Sequence, residues 1–229
     1  MQNNTFIIGD VHGCYHTLLK LVAKLPSNAK LIFVGDLCDK GNYSKEVIEF
    51  VINNKHSCIY GNHEYLFYQY ARDAILRDTH KMWSTNNAYG GRKTVNNYKN
   101  DIALLHKHIK WIETLPLYIE IQVETRLYFI THGFGLPFYN TKDKKRYKKA
   151  LFVNRIDDNI YNKYYEDYTN YNIINIFGHC KFDDILIDKD KKYYGIDTAC
   201  VYGNKLTAIK LGTMDIIQEN VDKRDIINY

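Results

Sequence analysis

With 229 residues, 45% of them hydrophobic and 25% charged, the chain is long and apolar enough for one sizeable core, which argues against disorder. A net charge of +5, from 31 basic against 26 acidic residues, falls short of a nucleic-acid footprint. No apolar stretch approaches the roughly eighteen residues of a membrane span, the first ten residues carry no basic leader, and five cysteines without a C-x-x-C pair argue against a disulfide framework or a zinc ribbon, so a reducing, cytoplasmic setting is expected.

Residues 5–8 read as a first strand. A helix follows over 16–25, with Leu18, Leu21, Val22 and Leu25 on one face. Next come a strand at 31–34, a helix opening near Ser44, a strand at 57–60 and a helix from about Glu64. Right-handed crossovers in such a β-α-β-α-β run make the three strands parallel neighbours, with their C-terminal ends along one sheet edge, where α/β proteins bind ligands. A further helix is expected over 101–113, ended by Leu115-Pro116, and then strands at 117–123, 127–131, 172–177, 184–188, 193–196 and 205–211. The fold class is α/β, with two packed mixed sheets flanked by helices in a single domain over 1–229. Residues 134–171 are polar, basic and tyrosine-rich and are expected to form a cap or lid over the site. Within them the basic run from Lys142 to Lys149 reads as a solvated face. Tyr161, Tyr164, Tyr165, Tyr168 and Tyr171 read as products of a composition holding 21 tyrosines.

Each early strand runs into a polar cluster: G-D-V-H-G at 9–13, G-D-L-C-D-K-G at 35–41 and G-N-H-E at 61–64. Asp10, Asp36 and Asn62 fall 26 residues apart each time, as successive βα units produce. Two later strands end alike, in Thr131-His132-Gly133 and Gly178-His179. The set that should converge contains two aspartates, an asparagine and several histidines. Mixed carboxylate and imidazole ligands suit Mn, Fe or Zn better than Ca or Mg, and six donors plus water are right for two ions rather than one. Two ions about 3.5–4 Å apart can clamp a phosphoryl group and acidify a water. A glycine-acid pair is ordinarily a turn and a lone histidine ordinarily packs; five such clusters at strand ends make that bland reading untenable. His16, His56, His80, His106 and His108 lack this context and read as surface or packing residues.

These motifs, with G-H-C at 178–180 and the I-D-T-A-C-V-Y-G-N-K-L-T-A stretch at 196–208, resemble the signature of the calcineurin-like metallophosphoesterases. More narrowly, the chain is similar to the phosphoprotein phosphatase branch, including small bacterial and phage Ser/Thr phosphatases and symmetrical dinucleoside tetraphosphatases. The resemblance implies two divalent ions, with Mn favoured over Fe or Zn. It puts Asp10 and His12 on the first, Asp36 as the bridge, Asn62 and His132 on the second, and His179 there or on its neighbour. It also implies His63 as general acid oriented by Asp39, and phosphate contacts from Lys40 and Arg155. Lys40 stands where the family usually has Arg, which replaces a bidentate fork with a point charge, so orientation is expected to rest mainly on Arg155.

Within that resemblance, retention of Asp39, with Trp83 and the Gly90-Gly91 pair where bacterial phosphatases carry a W…GG segment, favours a phosphomonoesterase acting on phosphoserine or phosphothreonine in proteins, or on a small phosphoester. The alternatives are hydrolysis of dinucleoside polyphosphates or RNA 5′ ends, and a catalytically inactive binding protein.

Overall fold

A computed structural model describes residues 4–77, 79, 82–157 and 160–227, so His80 lies outside the described residues. Among the described residues ten strands form two sheets. In the first, β1 (Thr5–Ile8) pairs in parallel with β2 (Lys30–Phe33), which pairs in parallel with β3 (Ser57–Cys58), as the crossover rule requires. The antiparallel hairpin of β9 (Lys205–Lys210) and β10 (Ile216–Asn220) completes it on the other side of β1. The second sheet has the order β4 (Tyr118–Val123), β5 (Arg126–Thr131), β6 (Ile173–Phe177), β8 (Tyr193–Gly195), β7 (Leu186–Ile187). Its inner three strands β5, β6 and β8 are parallel, while β4 and β7 are antiparallel at the edges.

Side-chain alternation along the strands decides the layers. From the first sheet Phe6, Ile8, Leu31 and Phe33 enter a core with Leu18 and Leu21 of α1 (Tyr15–Ala23), Val47 and Val51 of α2 (Ser44–Asn53), and Phe67 of α3 (Asn62–Leu76). Tyr98 of α5 (Gly91–Tyr98) and Leu105 and Ile109 of α6 (Ile102–Ile112) close the same layer, beside the short α4 (Met82–Thr85). The intervening residues Ile7, Ile32 and Val34 face the other way, into a second core with Tyr128, Ile130 and Ile176 of the second sheet. The result is two sheets packed face to face with helices outside, the expected architecture.

The outer face of the second sheet is covered by the described residues of 134–157 and 160–171, which form 3₁₀ turns at Leu136–Thr141, Lys145–Tyr147 and Asn162–Tyr164 and a short helix, α7 (Ala150–Val153). The tyrosines there act in packing. Tyr165 lies against Phe134 and Phe138, Tyr168 against Phe134, and Tyr161 against Phe138.

Two departures have physical causes. The short edge strand β10 is held by its hairpin partner β9, and the short helix α4 and the mostly polar α5 are anchored by Trp83 and Tyr98 in the first core. The short C-terminal helix α8 (Lys223–Ile226) docks through Asp225, whose buried carboxylate accepts from the Thr17 hydroxyl at 2.6 Å and from the backbone N–H groups of His16 and Thr17 at the start of α1. Among the described residues no helix is long and apolar enough to cross a membrane.

Candidate metal centre and proton donor

Strand register sets the centre. Ile8, Phe33 and Cys58 are level across β1, β2 and β3, so the loops carrying Asp10, Asp36 and Asn62 leave the sheet at one height. In the second sheet Thr131, Phe177 and Gly195 are level, and His132, His179 and Asp197 follow them. Close approach between these loops excludes side chains: a Cβ on Gly178 would lie 2.0 Å from the Asp10 carboxylate. Among the described non-glycine residues with positive φ are His12 (47°), Asp36 (52°), Asp39 (71°), Lys40 (64°), His179 (63°) and Ala199 (56°). Each such residue costs about 1–3 kcal/mol, and strain of that kind collects where surrounding structure and function demand it.

All six expected ligands converge around Asp36. His132 Nε2 lies 3.2 Å from Asp36 Oδ1 and 2.9 Å from the Asn62 side-chain oxygen, and His12 Nε2 lies 3.5 Å from Asp36 Oδ2. The His132 and His179 rings are 5.1 Å apart, and the backbone N–H of His179 donates to Asp10. Among the described residues two groups of potential ligand atoms, one from His12, Asp36 and His63 and one from Asp36, His132 and His179, each lie within 4.8 Å of one another and share Asp36.

The donor chemistry fits divalent ions. His12 and His132 each use Nδ1–H to donate to a backbone carbonyl, that of Cys38 or Val34, at 2.8 Å, which turns the Nε2 lone pair into the centre. The electrostatics are those of a place built for cations. At Asp36 burial pushes the carboxyl up, but the imidazoles of His132 and His63 outweigh it and hold it well below the usual range. Burial and the neighbouring Asp197 carboxylate push Asp10 well above that range. His132 is pushed up to about 10, the Asp36 carboxylate overcoming the effect of burial. His179 falls to about 3 through burial and the neighbouring His132.

His63 stands beside these residues with a different set of bonds. Its ring is buried, Nδ1 bonds to Asp39 Oδ2 at 2.7 Å, and its backbone N–H donates to Asp36. Asp39 in turn accepts from the Trp83 indole N–H at 2.7 Å and the Thr94 hydroxyl at 2.6 Å. The Gly90-Gly91 pair lets α5 come this close, since a Cβ on Gly90 (φ +73°) would lie 2.5 Å from the Lys40 backbone nitrogen. Lys40 Nζ sits 2.9 Å from His12 Nε2 and 3.1 Å from His63 Nε2. Arg155 lies at the far side, with Nη1 donating to the His179 carbonyl at 3.3 Å and Nε to the Asp157 carboxylate at 3.3 Å.

Sequence reasoning overlooked Glu64, Thr94 and Asp197. The buried Glu64 carboxylate accepts from the backbone N–H groups of Asp36, Leu37 and Gly61 at 2.7–3.0 Å and so ties the second motif to the third. Its place beside His63 in G-N-H-E was the available signal. Asp197 is buried near Asp10 and Lys40, and its signal was the strand-end position in I-D-T-A. Thr94 had no signal. Of the histidines set aside, His16 bonds Asp225, His108 bonds Tyr98 and Glu49, and His56 packs on Phe50.

The sequence model of the calcineurin-like phosphoesterase family matches residues 4–223. The chain belongs to that family. As a calcineurin-like phosphoesterase it is a metal-dependent phosphoester hydrolase. It is 27% identical over 236 residues to the asymmetrical bis(5′-nucleosyl)-tetraphosphatase PrpE of Anoxybacillus flavithermus, covering 92% of this chain and 91% of that one. Its identity to the PrpE of Oceanobacillus iheyensis is 28% over 234 residues, covering 92% and 90%. A crystal structure provisionally described as a diadenosine tetraphosphatase superposes with a TM-score of 0.69 at 19% identity, covering 96% of this chain and 94% of the other. A Saccharomyces cerevisiae protein serine/threonine phosphatase with similarity to human PP5 does so at 0.60 and 16%, covering 95% and 79%. The last two likenesses concern the fold.

Proposed function

We propose that this phosphoesterase hydrolyses dinucleoside polyphosphates at a two-metal centre. In this reading Asp10 and His12 hold one divalent ion, Asn62, His132 and His179 hold the other, and Asp36 serves both. Manganese suits this mixed carboxylate and imidazole set, as iron or zinc would. When bound, the ions supply Lewis-acid polarisation of a phosphoryl oxygen and a water acidified into a nucleophile. The remaining work falls to side chains. Lys40 and Arg155, on opposite sides of the centre, orient the phosphoryl oxygens, and His63, held by Asp39, delivers a proton to the leaving oxygen. The observation that carries the substrate assignment is likeness over 92% of the chain to proteins named as tetraphosphatases. The five cysteines are free and buried, in keeping with a reducing cytoplasmic setting.

A second reading, a Ser/Thr phosphomonoesterase, is favoured by one feature. A departing phosphate is a stable anion and needs little protonation, whereas a serine or threonine alkoxide needs a proton. The buried His63–Asp39 pair with its two further donors is well made for the alkoxide. Incubating pure protein with Mn²⁺ and either diadenosine tetraphosphate or a phosphothreonine peptide separates the two. Preferential cleavage of the tetraphosphate is expected; turnover of the peptide alone would move the assignment to the second reading.

A further inference from the structure

Beside the centre, behind Lys40, lies a cavity of about 640 Å³, within the range of roughly 300–1,000 Å³ that small-molecule sites occupy. One wall is the start of α5, with Arg92, Lys93 and Asn96; the other is the loop after Asp197, with Val201 and Tyr202. No acidic side chain among the described residues lines it. Among the described residues none of Lys40, Arg92 and Lys93 has a carboxylate within ion-pair distance, so the three cationic residues that line the cavity leave it net positive, with the Lys40 ammonium turned toward His12 and His63. Tyr202 is 54% exposed, unusual for a large ring, and Lys40 Nζ lies 5.6 Å from its centroid. Lys181, with Nζ 4.0 Å from the same centroid, adds a fourth positive charge at the rim.

We propose that this cavity is the subsite for the nucleotide arm of the substrate beyond the scissile phosphoryl group, a proposal that rests on the polyphosphate reading. The link is Lys40, whose ammonium reaches His12 and His63 while the same residue lines the cavity. A polyphosphate leaving the centre past Lys40 meets Arg92 and Lys93 next, and a guanidinium and an ammonium suit successive phosphates. The base then reaches Tyr202, where an exposed aromatic face offers stacking that tolerates any nucleobase. A phosphomonoester with a small leaving group ends before Arg92 and draws on none of this.

The test is equilibrium binding of ADP, in Mn²⁺, to the whole protein and to Arg92→Ala, Tyr202→Ala and Tyr202→Phe, with turnover of para-nitrophenyl phosphate followed in the same preparations. The subsite predicts about tenfold weaker ADP binding for each alanine variant. Affinity close to wild type is expected for Tyr202→Phe, with aryl phosphate turnover unchanged throughout. Equal ADP affinity in all four proteins, or no ADP binding by the wild type, overturns the subsite. If the predicted pattern holds while diadenosine tetraphosphate goes uncleaved, the subsite stands and the polyphosphate hydrolysis reading alone falls.

Discussion

Asp39 and Arg155 flank the same centre and are held in opposite ways. Asp39 is fully buried and its carboxylate accepts from His63, Trp83 and Thr94, so both oxygens are engaged. Arg155 has a side chain one-third exposed, and its ionic partner Asp157 is 68% exposed. Such a surface ion pair is worth about 0–1 kcal/mol, little resistance to an incoming phosphate. The contrast suits the proposed roles: a group that aims a proton donor gains from saturated hydrogen bonds, and a group that takes hold of a mobile ligand gains from loose ties. The contrast extends to Lys40, which among the described residues touches imidazole nitrogens and no carboxylate.

The largest effect expected on this contrast comes from its hinge. Asp36→Asn removes the anionic oxygens shared by both ligand groups, and turnover and metal loading should be lost together, with metal content well below two per chain. Two ions retained with full turnover would remove the bridging role. On the fixed side, His63→Asn should slow alkyl phosphate hydrolysis by roughly 10²–10⁴-fold while sparing an aryl phosphate with an acidic leaving group. Equal losses on both would make His63 a positioning residue.

On the loose side, Arg155→Ala should lower kcat/KM by about 10²-fold, more than Lys40→Ala, because only the guanidinium can engage two phosphate oxygens at once. Steady-state kinetics on the two variants decides it, and a worse Lys40→Ala would make Lys40 the main phosphate anchor. The smallest effect belongs to Trp83→Phe, which removes one donor from Asp39 while keeping an aromatic ring in the core. A fall of about tenfold in kcat on an alkyl phosphate, with KM nearly unchanged, is expected. An unchanged kcat would mean that Thr94 and the fold hold Asp39 without Trp83.

The same contrast explains what the sequence made legible. Asp10, Asp36, Asn62, His132 and His179 each follow a strand, and the position of a strand end can be read from an apolar run meeting a glycine and a polar residue. Parallel pairing then brings those ends together. The layers were legible for the same reason, since Phe6, Ile7 and Ile8 are buried on both faces and form a continuous apolar run. Thr94 differs in kind: its work is a hydrogen bond to a residue 55 positions away, and nothing local encodes it. Helix α5, which carries Thr94, is polar along most of its length and takes its place from Gly91 against Trp83.

The two-metal centre is the claim on which the rest depends, and diffraction tests it most directly. Crystals of the protein soaked in Mn²⁺ and measured at the manganese absorption edge should give two anomalous peaks flanking Asp36, one against Asp10 and His12 and the other against Asn62, His132 and His179. A single peak, or peaks away from Asp36, would contradict the account.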